Sequence, residues 1–130
     1  MAFKATLTLS ANEYDVLYCS YDFNRDVDPK GRPASGIYGG KIEVHIEANA
    51  DTSALESMVN NQYKAIEGSL EIKKQDEDAK MKEIKFSNAY VIELTEELHV
   101  FTSQPMLTKI VISAKTITIG NATHENEWPK

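Results

Sequence analysis

Alternation of apolar and polar side chains dominates this chain. Phe3, Ala5, Leu7 and Leu9 interleave with Lys4, Thr6 and Thr8, a period of two that predicts an opening strand with one dry face. Lys41 to Ala48 repeats the pattern more cleanly. Ile42, Val44, Ile46 and Ala48 point one way, and Lys41, Glu43, His45 and Glu47 the other. Between these two, residues 14–23 are rich in apolar and aromatic residues on both parities, with Tyr14, Val16 and Tyr18 on one and Leu17, Cys19, Tyr21 and Phe23 on the other. Such a strand is expected to be covered on both faces, by a second sheet or by another subunit.

Helical spacing is found in one stretch. Leu55, Met58, Val59, Tyr63 and Ile66 form a single apolar stripe. Ser53 with Glu56 three positions on has the form of a capping box, and Gly68 is placed to end the helix. The spacing therefore predicts one helix over about 53–67. Strand patterns resume at 69–74 and 81–94, joined by an acidic turn at 75–78. In the second of these Ile84, Phe86, Tyr90 and Ile92 share a parity that Asn88 interrupts, as a bulge or an interface side chain would. Residues 96–101 read as a short strand or a loop. Residues 106–119, dense in Ile110, Val111, Ile112, Ile117 and Ile119, read as a long last strand, and 121–130 as a polar tail. Six or seven strands and one helix favour a mainly β fold: an antiparallel β-barrel of two packed sheets with one flanking α-helix, in a single domain over 1–130.

One segment breaks every period. Residues 31–41 hold Gly31, Gly36, Gly39 and Gly40, four of the six glycines in the chain, together with Pro33. They cannot form ordinary helix or strand interior. Residues 22–39 are therefore expected to be a long protruding loop, and loops of that length in a compact domain usually carry function.

Composition narrows the function. With 130 residues, 42% apolar and 26% charged, the chain is long enough to bury a core without staples. Cys19 is the one cysteine, so no internal disulfide forms. No basic head precedes a continuous apolar run at the N-terminus and no stretch is long enough to span a bilayer, so a cytoplasmic protein without membrane insertion is expected, leaving the cell, if at all, by an unusual route. A net charge of −6, with lysines interleaved among acids, argues against nucleic acid as a partner.

Motifs for chemistry are missing. Asp22, Asn24 and Asp26 alternate as in a calcium loop, but Val27 stands where that loop needs glycine and Pro33 where it needs a bidentate glutamate. His45, His99 and His124 lie apart from one another in sequence and lack metal-ligand spacing. No nucleophile, base and acid can be assembled from them, so no catalytic residue, metal or cofactor is expected. Cys19 alternates with Leu17 and Tyr21 as a small core residue would. Asn121-Ala122-Thr123 has the form of a glycosylation acceptor but lacks a secretory signal. Tyr38, Trp128 and the aromatic run at 14–23 offer more aromatic surface than a monomer needs, which points to subunit contacts.

These residues also carry a family resemblance. Leu17-x-Cys19-x-Tyr21-x-Phe23, Gly31-Arg32-Pro33-x-Ser35, Gly39-Gly40-x-Ile42, Lys82-Glu83-Ile84-x-Phe86-x-Asn88-Ala89-Tyr90, Ile112-Ser113-Ala114 and Trp128 resemble the tube protein of type VI secretion systems. This is the haemolysin-coregulated protein family, in the branch found in Bacteroidota. The resemblance runs from about Phe3 to Trp128. It implies a barrel of two sheets with one helix alongside, assembled as a homohexamer into stacked rings. The rings form a hollow tube inside a contractile sheath, with spike and effector proteins as further partners and export without a signal peptide. It makes the loop at 22–39 the protruding contact to the next subunit or ring, with Asp26, Asp28, Arg32, Pro33, Ser35 and Tyr38 as contact residues. Lys41, Glu43, His45 and Glu47 then form a lumen- or solvent-facing strand. The alternative is a barrel that encloses a small ligand and has no part in secretion.

Overall fold

The computed structural model describes residues 3–9, 12–48, 53–60, 63–74, 80–98, 100–101 and 106–126. The elements are β1 (Phe3–Leu9), β2 (Asn12–Tyr21), β3 (Lys41–Glu47), α1 (Ser53–Val59), β4 (Ile66–Lys74), β5 (Lys80–Glu97), β6 (Leu107–Ile119) and β7 (Ala122–Glu125). All strand pairs are antiparallel, in the order β3-β2-β1-β4-β5-β6-β7, and β3 also pairs with β6.

That last pairing closes the first six strands into a barrel, one continuous sheet where two packed sheets were expected. The length of β6 makes closure possible. On one edge it pairs with β5 from Leu107 to Ile119. On its other edge residues 107–113 pair with β3 and residues 116–119 with β7. Closure removes sheet edges that would otherwise invite non-specific strand addition.

Period-two alternation fills the interior. Leu7, Ile42, Val44, Leu70, Ile84, Ile110 and Ile112 are wholly buried, and Phe86, Ala89, Ala114 and Ile117 complete the packing around them. Each fully buried aliphatic side chain contributes roughly 1.5–3 kcal/mol, so this set supplies the driving force for closure. These side chains occupy the interior of the barrel.

Bulges alter the parity read from sequence. In β2 the pairing with β3 shifts between Val16 and Tyr18. Tyr14 is buried and Val16 packs on the core, Leu17 and Tyr18 are exposed, and Cys19 and Tyr21 turn back inward. Among the described residues one face of β2 is covered and Glu13, Asp15, Leu17, Tyr18 and Ser20 are exposed. In β5 the register against β4 shifts between Ile66 and Gly68, beside Asn88 at φ 49°, which is the expected bulge. Its effect is larger than an interruption. The inward set runs Ile84, Phe86 and then Ala89, Val91, so Ile92 faces outward instead of sharing the parity of Ile84.

The helix also differs. α1 spans seven residues and ends at Val59, not near residue 67. Met58 packs against the core, whereas Leu55, Val59 and Tyr63 are exposed. The side chain of Ser53, expected as the cap, lies outside the described residues. Ile66, expected on the helical stripe, begins β4 and packs on the core. Gly68 is a strand residue with a packing reason to be glycine: a Cβ there would strike the carbonyl oxygen of Thr8 and come within 2.9 Å of the Phe86 ring. Strand pairing outweighed helical spacing because β4 completes hydrogen-bond ladders with both β1 and β5. Of the stretch expected as a polar tail, residues 122–125 form β7 on the edge of β6.

Candidate functional site

Residues 22–39 leave the barrel between β2 and β3 as a folded arm. Two antiparallel bridges, Asn24 with Tyr38 and Val27 with Pro33, make it a narrow ribbon. Backbone amides of Asn24, Asp28, Ala34 and Tyr38 donate to the carbonyls of Tyr38, Arg32, Asp26 and Asn24 across it. At the tip the chain reverses through Pro29, Lys30 and Gly31, where Gly31 takes φ 85°, a conformation that suits glycine.

The polar residues expected as contacts brace this ribbon. Asp28 Oδ1 accepts the amides of Lys30 and Arg32, both at 2.9 Å, and its Oδ2 accepts the Arg32 Nε–H at 2.8 Å. The backbone hydrogen bond from Arg32 first, opposed by desolvation, and then the bonds from its side chain and from the amides of Lys30 and Gly31, hold the Asp28 carboxyl below its ordinary pKa. Ser35 Oγ accepts the amide of Asp26 at 2.8 Å and donates to the Gly36 carbonyl. Tyr38 donates its hydroxyl to Asp26 Oδ2 at 2.9 Å. Pro33 lies in the second bridge. Asp26, Asp28, Arg32, Pro33, Ser35 and Tyr38 are thus brought together on one element, and nearly the whole arm is exposed. The calcium-like trio is divided among other bonds: Asn24 Nδ2 donates to Asp22 Oδ2 and Asp26 serves Tyr38.

A root that sequence reasoning missed joins the arm to the barrel. Asn126 Nδ2 donates to the carbonyls of Gly39 and Ala114, each at 3.0 Å. Its backbone amide donates to Lys115, and the amide of Ala114 donates to Gly40. Gly40 sits at φ 97°, and a Cβ on it would approach Ala114 O at 2.7 Å and Asn126 Nδ2 at 2.5 Å. The Phe23 ring lies on Gly39 closely enough to exclude a Cβ there, and meets the ring of His124 edge-on at 5.6 Å. His124 Nε2 in turn lies 2.9 Å from Asn126 Oδ1. In sequence Asn126 is one polar residue in a polar stretch, so its role had no local signal. Trp128 and His99 lie outside the described residues.

The charged side of β3 forms the outer wall of the barrel beside this root. Lys41 and Glu47 are exposed, and Glu43 and His45 half-buried. His45 Nε2 is 3.2 Å from Glu43 Oε2, and its ring lies 4.6 Å from that of Tyr18. Lys109 Nζ lies between Glu43 at 3.7 Å and Glu93 at 3.6 Å. Ion pairs this exposed stabilise by roughly 0–1 kcal/mol; they set the polarity of the wall more than its stability. Among the described residues no three His, Cys, Asp or Glu side chains are grouped to hold a metal. No helix among them is long and apolar enough to cross a membrane.

Comparison with known proteins bears on this geometry. The family model for the hemolysin coregulated protein Hcp (TssD) matches residues 1–129. The structure of Hcp1 from Flavobacterium johnsoniae is 32% identical, with a TM-score of 0.88 over 95% of this chain and 99% of that one. Hcp1 from an E. coli pathovar has the same fold at 14% identity, with a TM-score of 0.76 over 98% of this chain and 100% of the other. A component of the sheath–tube complex of an extracellular contractile injection system shares it at 14% identity and a TM-score of 0.57, over 92% of this chain and 89% of that one. A search of curated protein sequences finds no match. The match over nearly its whole length places this chain in the hemolysin-coregulated protein family, Hcp or TssD, with a solved relative of 32% identity in Bacteroidota.

Proposed function

We infer that the chain is a structural subunit of the inner tube of a type VI secretion system. One observation carries this reading: the barrel superposes on Hcp1 of F. johnsoniae over nearly the full length of both chains at 32% identity. The chain works by assembling with its own copies and holds no catalytic role. Six copies close into a ring, rings stack into a hollow tube, and a contractile sheath drives the tube with its spike out of the cell. Effector proteins travel in the lumen. The subunit is made in the cytoplasm and leaves by this expulsion, with no need for a signal peptide.

Physical features support the reading. A ring needs a head-to-tail contact that closes on itself, and a stack needs a second contact on the ring faces. The arm suits the second. Its polar side chains satisfy one another internally, so it holds its shape while Val27, Ile37 and Tyr38 stay exposed for a neighbour. Asp26, Asp28, Arg32, Pro33 and Ser35 then act chiefly by keeping the contact surface rigid. Lys41, Glu43, His45 and Glu47 give the wall a wettable face suited to a lumen. The buried aliphatic side chains inside the barrel favour this reading over the ligand-barrel alternative.

Negative-stain electron microscopy of the purified protein tests the proposal. Six-fold rings, singly or in stacks, are the expected images. Monomers alone over a wide concentration range would overturn it.

A further inference from the structure

The arm is a self-contained body. Among the described residues, the hydrogen bonds of Asn24, Asp26, Asp28, Ser35 and Tyr38 all stay within residues 22–38. It leaves β2 through Asp22 and Phe23 and returns to β3 through Gly39 and Gly40, neither of which has a side chain to grip the barrel. Gly40, at φ 97°, lets the chain turn sharply there. The side chain that holds the returning leg is Asn126, one residue beyond β7.

The bonding of that amide is determined by its partners. A carbonyl oxygen only accepts, so both 3.0 Å contacts, to Gly39 and to Ala114, are donated by Nδ2 and use its two hydrogens. Oδ1 remains as the acceptor, and His124 Nε2 stands 2.9 Å from it. Nε2 therefore carries hydrogen. His124 sits in β7 opposite Ile117 of β6, so the imidazole belongs to the barrel wall. The Phe23 ring, edge-on to that imidazole at 5.6 Å and lying on Gly39, covers the same place from the outgoing leg of the arm. Imidazole, amide and Gly39 carbonyl thus form one chain of donors and acceptors from barrel to arm.

We propose that His124 is the positioning residue of a latch through which Asn126 sets the angle of the arm. Donation into Oδ1 polarises the amide and strengthens the bonds that Nδ2 donates. With the latch closed, the rung between Asn24 and Tyr38 is held against the barrel. With it open, that rung frays, and the ribbon beyond, braced by Asp28, Ser35 and the bridge of Val27 with Pro33, swings as a body. The use of the latch rests on the tube reading: an arm already set at one angle loses less conformational freedom when a neighbouring copy meets it.

Two variants of nearly the same shape separate donation from packing. His124→Gln keeps an N–H to offer Oδ1, whereas His124→Glu sets an acceptor there, and either orientation of the Asn126 amide then puts oxygen against oxygen. Amide exchange measured by NMR at Asn24 and Tyr38 should quicken about tenfold in His124→Glu, as for loss of one or two hydrogen bonds, and stay near wild type in His124→Gln. Asp28, Gly31 and Ala34, whose bonds are internal to the ribbon, should keep their wild-type rates in both. Nitrogen-15 shifts of the wild-type imidazole give a test that needs no variant: the neutral ring should be protonated on Nε2. A neutral ring protonated on Nδ1, equal rates in the two variants, or equal quickening throughout the ribbon would overturn the latch. The concentration for half-assembly should rise several-fold in His124→Glu alone; equal values in Gln and Glu variants overturn the use of the latch in assembly. A wild-type protein that forms no oligomer overturns the tube reading and with it that use, while the exchange rates and the imidazole shifts still decide the latch.

Discussion

The side-chain amide of Asn126 lies 3.0 Å from the carbonyl oxygen of Gly39, 87 positions earlier in the chain. This one bond, with its twin to Ala114, ties the returning leg of the arm to β6 and to the end of β7. Asn126→Ala should leave the barrel folded at a cost of about 1–2 kcal/mol, the range for breaking hydrogen bonds to partly buried carbonyls. Amide hydrogen exchange should show faster exchange at Asn24 and Tyr38, whose bonds close the base of the arm. Unchanged protection there would detach Asn126 from arm control.

Gly40 and Gly31 both take positive φ but differ in surroundings. Gly40→Ala should destabilise by at least about 2 kcal/mol in denaturant unfolding, because unfavourable backbone adds to collision with Ala114 O and Asn126. Nothing lies within 4 Å of a Cβ at Gly31, so Gly31→Asn should be nearly neutral there.

Asp28 makes the arm sensitive to acid. Its pKa is lowered from 3.8 in the folded arm, so the ionised form is the one the fold favours. That contribution is complete above the ordinary carboxylate range and is lost as pH falls through the depressed value. The amide resonances of Lys30 and Arg32 should hold their positions above roughly pH 5 and move together only below about pH 4. Asp28→Asn should remove the transition and loosen the tip at neutral pH.

Asn88 occupies φ 49° at the bulge that switches the inward face of β5. Asn88→Gly should be close to neutral, while Asn88→Val should cost about 1–3 kcal/mol because a β-branched residue resists that backbone. Thermal unfolding of the two variants decides the point; equal effects would remove backbone conformation as the reason for asparagine.

Removing residues 27–34 and closing the arm with a short turn should leave the barrel intact, since the bonds of that segment are internal to the arm. Stacking should suffer. Electron micrographs of the shortened protein should show fewer or no stacks, and normal tubes would reject the role of the arm.

Much of the barrel was legible because each strand carries its own two-residue period. Leu7 and Leu9 in β1, and Ile42, Val44 and Ile46 in β3, turn inward as alternation requires. The arm was legible from glycine density for a related reason, since backbone freedom is a property of the residue itself. Helical spacing at 55–66 misled at its C-terminal half. Ile66 and Gly68 fit both a helix and a strand locally, and the choice rested on β1 and β5, whose unpaired amides and carbonyls β4 completes.

By itself the sequence determined the periods, the glycine-rich arm and a family resemblance that spans the chain. Tertiary structure alone decided the closure of β3 on β6, the parity change at Asn88 and the clamp of Asn126 on Gly39. The reason is physical. Periodicity and backbone freedom are local properties, whereas a hydrogen bond across 87 residues, or the pairing of β3 with β6, exists only once distant segments share space.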